Sequence, residues 1–94
     1  MNEIEQLGLI KLSQELKIVA DINRLTILRF LKLRKTASVG EIADNLKISF
    51  KATSKHLLFL VKRGVLKRQS DGPFVLYRLS SDLPKSVQTI ISLL

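Results

Sequence analysis

The chain has 94 residues, a formal net charge of +8, 46% hydrophobic residues and no cysteine. This length predicts one domain over residues 1–94, and this composition is that of a globular protein rather than a disordered one. The lack of cysteine excludes disulfides, thiolate metal sites and cysteine redox sensing within these residues.

The first predicted helix, residues 3–20, carries apolar side chains on two faces. At 100° per residue, one face holds Leu9, Leu12, Leu16 and Val19, and the roughly opposite face holds Ile4, Leu7, Ile10 and Ile18. One face can pack against the domain's own core. The other face then indicates contact with a second subunit.

Two further helices are predicted from the residues that can cap them. Asp21 can cap a mostly buried helix at residues 22–34, whose basic end suits the negative end of the helix dipole. Ser38 can cap a short helix at residues 39–46, and Glu41 stands in the capping-box position three residues later.

A fourth helix is predicted at residues 49–63, with Ser49 as its cap and Gly64 as its stop. Its core side holds Thr53, Leu57 and Leu60. Another side carries a lysine stripe, defined as Lys51, Lys55, Leu58 and Lys62 at positions i, i+4, i+7 and i+11. Residues 39–63 together predict a helix-turn-helix, in which Lys47 takes a positive φ at a cost of about 1 kcal/mol.

The end of the chain predicts a hairpin and a last helix. Residues 66–70 and 74–79 are rich in β-formers and are separated by Asp71-Gly72-Pro73, which indicates a wing over residues 66–79. A helix follows at residues 83–94, with Pro84 in its first turn. Its apolar face holds Leu83, Val87, Ile90 and Leu94. The expected fold class is α+β, mainly α: a winged helix-turn-helix in the order ααααββα.

Nearly all the excess positive charge lies in the fourth helix and the wing. Residues 47–79 hold eight lysines and arginines against one aspartate, a net +7 of the total +8. Such clustering favours a polyanionic partner, because cations gain free energy by releasing counterions from a phosphate backbone. A membrane surface fits less well, since a helix lying on it needs a broad apolar face free of protein contacts. The expected partner is double-stranded DNA, with the fourth helix in the major groove.

The residues expected to contact DNA lie in the fourth helix and along the wing. They are Ser49, Phe50, Lys51, Ser54, Lys55, His56, Lys67, Arg68 and Arg78. The cations suit phosphates, and an aromatic side chain such as Phe50 can meet a thymine methyl group. Several have a second interpretation: Ser49 as a helix cap, Phe50 as a packing residue, Lys51 and Lys55 as an ordinary solvated helix face, His56 as a hydrogen-bonding residue and Arg78 as a partner within the fold.

Three segments resemble the ArsR (arsenical-resistance-repressor) family of winged-helix transcription regulators, over roughly residues 16–79. Residues 19–28, VADINRLTIL, resemble the family signature LADPTRLxIL, with Ile22 in place of proline. Residues 49–60, SFKATSKHLLFL, are similar to its recognition helix SQSTVSRHLKVL, and residues 74–79, FVLYRL, resemble its wing strand WVYYRL.

The resemblance implies a homodimer built from the first and last helices. Such a dimer would place two recognition helices about one DNA turn apart on a palindromic operator. The implied function is transcriptional regulation, and we expect a repressor that blocks a promoter. The expected dimer-interface residues are Ile4, Leu7, Ile10, Val87, Ile90, Ile91 and Leu94.

The chain departs from the metal-sensing members of the family at both of their metal sites. Residues 37–41, ASVGE, replace the Cys-x-Cys pair of the third helix, and the last helix region offers only Asp82. We therefore expect no bound metal and no cofactor, and the sequence indicates no effector.

Other classes of function agree less well with these residues. No paired carboxylates, activated nucleophile, glycine-rich phosphate loop or metal cluster indicates an enzyme. A protein-interaction module within a larger assembly can use a winged helix, but it does not need the lysine stripe. RNA binding would need an exposed aromatic platform. The acidic start and the lack of an apolar run of about 20 residues predict a cytoplasmic protein without a membrane anchor.

Overall fold

The computed structural model describes residues 1–94 as five helices and one antiparallel sheet of three strands. In chain order the elements are α1 (Glu3–Val19), α2 (Ile22–Arg34), β1 (Thr36–Ala37), α3 (Val39–Leu46), α4 (Phe50–Lys62), β2 (Leu66–Asp71), β3 (Phe74–Leu79) and α5 (Lys85–Ser92). The predicted winged-helix order ααααββα is confirmed, with β1 as an addition.

The extra strand β1 lies on the open side of the hairpin. Thr36 is opposite Arg78 and Ala37 is opposite Tyr77, so the sheet has the order β1-β3-β2. Two residues are too few to show the alternation from which a strand is predicted. The hairpin turn is also tighter than expected, because Asp71 pairs with Phe74 and leaves only Gly72 and Pro73 between the strands.

Side-chain caps begin four of the helices. Asp21, Ser38 and Ser49 each accept a hydrogen bond from the backbone N–H three residues later, as the sequence predicts. Asn2 caps α1 in the same way and forms a capping box with Glu5, which the sequence analysis missed. Each cap satisfies a backbone donor that has no partner inside its helix, and so fixes where the helix begins.

Carboxylates at two of these sites are held in their charged form. The pKa of Asp21 lies below its ordinary 3.8. The main cause is the hydrogen bond from the backbone N–H of Arg24, and the charges of Arg24 and His56 contribute less. The pKa of Glu41 lies below its ordinary 4.5. The main cause is the hydrogen bond from the backbone N–H of Ser38, and the charge of Arg34 contributes less. Glu41 also forms an ion pair with Arg34, which ties the end of α2 to the start of α3.

The core surrounds α2 and joins all five helices to the sheet. Its buried residues are Val19, Ile27, Leu28, Leu31, Ala37, Ile42, Leu57, Leu60, Val65, Leu66, Val87 and Ile91. Buried apolar side chains of this size each stabilise the fold by about 1.5–3 kcal/mol. The orientation of α3 and α4 is therefore set by the side chains that they bury against α2.

Helix α1 packs against its own domain much less than predicted. The face from Leu9 to Val19 was expected to meet the core, but only Val19 is buried, while Leu9, Leu12 and Leu16 remain exposed. A helix of 17 residues is about 25 Å long, and the molecule measures 51 × 24 × 22 Å. We infer that α1 extends beyond the core, so that most of both apolar faces is exposed and only their last residues, Ile18 and Val19, meet the core.

Two of the residues assigned to the dimer interface belong to the subunit's own core. Val87 is 1% exposed and Ile91 is 7% exposed, so the prediction that they face a second subunit is wrong. They lie four residues apart on α5, and this spacing turns both toward the core. Ile90 and Leu94 occupy the neighbouring face and are only half-buried. Helix α5 is also shorter than predicted and begins after Pro84, which is its N-cap.

Candidate nucleic-acid interface

The turn between α3 and α4 is built around Lys47. This residue has φ 57° and ψ 39°, the left-handed conformation that the sequence predicts for it. Its N–H donates to the carbonyl of Ala43 at 2.8 Å, which ends α3. Ala43 is itself buried, and a small side chain at this position lets the two helices approach closely. The turn therefore places α3 and α4 as the helix-turn-helix unit requires.

Helix α4 has a buried face and a basic face. Thr53, Leu57 and Leu60 are fully buried, which fixes the rotation of the helix about its own axis. The three lysines of the lysine stripe are exposed, and Leu58 between them is 47% exposed. Phe50, in the first turn of α4, is 63% exposed. The stripe therefore faces solvent along the whole length of α4.

The other residues predicted to contact DNA from this helix are less accessible or already have a partner within the chain. Ser49 is exposed, but its hydroxyl already caps the helix by accepting from the N–H of Ala52 at 3.0 Å. Ser54 is half-buried beside the stripe. His56 is also half-buried, and its Nε2 lies 3.5 Å from Nδ2 of Asn23 on α2. His56 thus has a partner within the chain, and its contact with DNA stays a prediction.

The wing carries a second group of cations. Lys67 and Arg68 are exposed on β2. Arg78 on β3 lies opposite Lys67, and it donates from Nε to Gln69 Oε1 at 3.1 Å and from Nη1 to the carbonyl of Leu79 at 3.4 Å. These bonds agree with the second interpretation of Arg78, as a partner within the fold.

The wing tip also exposes apolar side chains that the sequence analysis did not assign to the interface. Phe74 is 62% exposed and Val75 is 45% exposed, next to the turn at Gly72. The sequence signal that could have identified them is their place directly after Gly72-Pro73, at the predicted tip of the wing.

None of the cations in residues 47–79 forms a salt bridge. The one ion pair of the chain joins Arg34 to Glu41, outside this segment. The only acidic residue within the segment is Asp71, at the end of β2. The positive charge of α4 and the wing is therefore available to an external anion, and its field is not cancelled by nearby carboxylates.

The structure contains neither a metal-ligand cluster nor a membrane-spanning helix. No group of three or more histidine, cysteine, aspartate and glutamate side chains is close enough to hold a metal ion. None of the five helices combines the length and apolar character needed to cross a bilayer.

Known proteins with similar sequences and structures are transcription regulators. The chain is 38% identical over 72 residues to the transcriptional activator HlyU of Vibrio cholerae, a match that covers 77% of this chain and 66%, just under two thirds, of that relative. The structure of reduced HlyU from Vibrio cholerae N16961 is similar with a TM-score of 0.78 and 33% identity, covering 99% of this chain and 93% of that one.

A second relative is a repressor rather than an activator. The transcriptional repressor PagR of Bacillus anthracis has a TM-score of 0.74 and 31% identity, covering 95% of this chain and 99% of that one. The family profile described as "Bacterial regulatory protein, arsR family" matches residues 21–68, from the cap of α2 to the middle of β2. These 48 residues make up half of the chain and include the whole helix-turn-helix, so the chain belongs to the arsR family of bacterial regulatory proteins.

Proposed function

We propose that this chain is a dimeric, sequence-specific DNA-binding regulator of transcription, and that it represses by occupying a promoter. The observation that carries the proposal is the unpaired cationic surface of α4 and the wing, within a helix-turn-helix. An α-helix with its side chains is about 10–12 Å wide, and the major groove is about 12 Å wide. Helix α4 therefore has the diameter and the charge to enter that groove.

Each part of the surface has a chemical role in this proposal. Lys51, Lys55 and Lys62 neutralise phosphates, because they are exposed and have no carboxylate partner. Phe50 and Leu58 present apolar surface to base edges such as the thymine methyl group. Lys67 and Arg68 bring the wing to the neighbouring backbone. A protein with this role acts in the cytoplasm, where the bacterial chromosome lies.

A second copy of the chain is the proposed partner of α1. Ile4 is 81% exposed and Leu7 is 65% exposed, and soluble monomers rarely leave such residues together on one helix. A cleft of about 760 Å³ lies between α1 and α5; its lining is mostly polar, with Leu12 and Leu83 as its hydrophobic side chains. A symmetric dimer would cover the same surface on both copies, with Ile10, Ile90 and Leu94 in or beside it.

The DNA contact is tested by the dependence of binding on salt. Lys51→Ala and Lys55→Ala should weaken binding to many DNA sequences. Each should also reduce the slope of log K against log salt by about 0.9 per phosphate contact, or about 2 for a dimer changed in both subunits. Fluorescence anisotropy of labelled duplexes between low and moderate salt measures both quantities.

The matched control for the salt experiment is Arg29→Ala. It removes one exposed cation of α2, outside the helix-turn-helix and the wing, and it should leave the slope unchanged. If all three variants keep the wild-type slope, the proposed contacts are wrong. If the wild-type protein binds no duplex at all, the interaction-module alternative gains support instead.

The dimer is tested by a charge placed on the exposed apolar face of α1. Ile10→Glu should give monomers, because a buried and unpaired carboxylate is strongly unfavourable in an interface. Ser13→Glu is the control, since Ser13 is exposed on the polar side of the same helix. Analytical ultracentrifugation distinguishes the two variants. A dimeric Ile10→Glu variant would exclude this face of α1 as the interface.

A further inference from the structure

Arg24 connects three helices of the chain. It lies in the first turn of α2, and its side chain reaches back to the end of α1. Its Nε donates to the carbonyl of Ile18 at 2.6 Å, and its Nη2 donates to the carbonyl of Lys17 at 3.0 Å. The same guanidinium group lies over the ring of Phe59 on α4, with Cζ 4.3 Å from the ring centroid.

The two carbonyls that Arg24 binds have no partner inside α1. The last four carbonyls of a helix lack intrahelical donors. In α1, the carbonyl of Leu16 accepts from Ala20 N–H at 3.0 Å and the carbonyl of Val19 accepts from Asp21 N–H at 2.8 Å. The remaining two are the ones that Arg24 satisfies. The charged guanidinium group of Arg24 therefore donates two hydrogen bonds that satisfy the end of α1 and connect it to α2.

The contact with α4 is reinforced from a second side chain. Arg63, at the end of α4, also lies over the Phe59 ring, with Cζ 3.6 Å from the centroid. Phe59 is half-buried and packs against the core cluster. Cation–π contacts of this kind are attractive, and more so where water is partly excluded. Arg24 thus touches both the helix of the proposed dimer interface and the helix of the proposed DNA contact.

Besides Arg24, α1 is held by its last residues, where Ile18 packs against the core, and by its contacts with α5. Val19 is the only buried residue of α1. One further contact is the hydrogen bond from the Ser86 hydroxyl to Glu15 Oε1 at 2.7 Å. A tilt of about 10° at the Arg24 end would move the far end of this helix, about 25 Å away, by roughly 4 Å. That displacement exceeds the rise of about 3.4 Å between successive nucleotides of duplex DNA.

We infer that Arg24 is a positioning residue that sets the half-site spacing of the operator, by holding α1 at a fixed angle to α4. This inference rests on the proposed function, because it needs a dimer formed through α1 and an α4 helix in each half-site. In such a dimer the angle between α1 and α4 determines the separation of the two α4 helices. The role assigned to Arg24 acts through α1 and α4 and requires no direct contact with DNA or with the second subunit.

The test compares operators that differ only in spacing. The best-bound duplex is first selected from random sequence, and its half-sites are then moved apart or together by one and two base pairs. The wild-type protein should prefer one spacing by roughly tenfold or more, since a wrong spacing removes contacts of one subunit. Arg24→Lys keeps the charge but loses the planar group that donates both hydrogen bonds. The preference of this variant for one half-site spacing should fall to about threefold or less.

Arg34→Lys is the matched control. Arg34 lies on the same helix, also stands over an aromatic ring, with Cζ 5.5 Å from the centroid of Phe30, and forms an ion pair, but its bonds go to α3 rather than α1. It should keep the wild-type preference. Phe59→Leu removes the ring while keeping an apolar side chain, and it should give an intermediate preference even if Arg24→Lys does not fold.

The outcomes separate the inference from the proposed function. If Arg24→Lys and Phe59→Leu dimerise and keep the wild-type spacing preference, the inference is wrong and the proposed function stands. A uniform loss of affinity at every spacing, with an unchanged preference, also overturns it, because that is the result of a purely structural role. A wild-type protein that is monomeric or does not bind the selected duplex would instead reject the proposed function.

Discussion

Replacing Lys47 with glycine should stabilise the protein. Lys47 has a positive φ of 57°, which costs an L-residue with a Cβ about 1–2 kcal/mol relative to glycine. Glycine makes the unfolded chain more flexible, which offsets about 0.4–1 kcal/mol of that gain. The Lys47 side chain is exposed, so its removal loses no packing, and the backbone bond to Ala43 remains. The net gain should be about 0.5–1 kcal/mol.

Thermal unfolding, monitored by circular dichroism, measures this gain. A stabilisation of 0.5–1 kcal/mol corresponds to an increase in Tm of roughly 2–8 °C for a chain of this length. Protein concentration must be equal in all samples, because the Tm of a dimer depends on it. Lys55→Gly is the control: it makes the same substitution inside α4 and should lower stability by about 0.5–1 kcal/mol. If both variants shift Tm in the same direction, the backbone argument for Lys47 is refuted.

Two further predictions concern the cap of α2 and the core. Asp21→Ala should cost about 1 kcal/mol at pH 7, because the cap on Arg24 N–H is lost. Since the pKa of Asp21 is lowered in the folded protein, this carboxylate stabilises the fold above its ordinary pKa of 3.8. The difference in the free energy of unfolding between wild type and Asp21→Ala, measured by urea titration, should therefore decrease as the pH falls below 3.8. A difference that does not change with pH would contradict this prediction. Leu57→Ala, at a fully buried site, should cost about 2–5 kcal/mol in the same assay.

Local features of the fold were predictable because their partners are close in sequence. Asp21, Ser38 and Ser49 cap their helices through backbone groups three residues away, which a sequence pattern reveals directly. The same holds for Lys47, where the break between two helical patterns leaves room for only one short turn. Thr53, Leu57 and Leu60 share a face by helical periodicity alone. The basic surface of α4 follows from that periodicity.

Contacts between distant segments could not be predicted in this way. Asn23 and His56 lie 33 residues apart, and neither residue type indicates the other. The contact of Arg24 with the ring of Phe59 is equally hidden. On α5, periodicity groups Val87 with Ile90, yet the structure buries Val87 and leaves Ile90 at the edge. Periodicity shows which residues share a face, and only the packing of neighbouring elements shows whether that face is covered.

The weak packing of α1 against its own domain links folding to the amount of protein present. Within a single chain, most of the leucines and isoleucines of this helix stay in contact with water. A newly made subunit on its own therefore exposes a surface that attracts chaperones and proteases. Under the proposed function, association with a second copy removes this liability, so that the half-life of the protein rises as it accumulates.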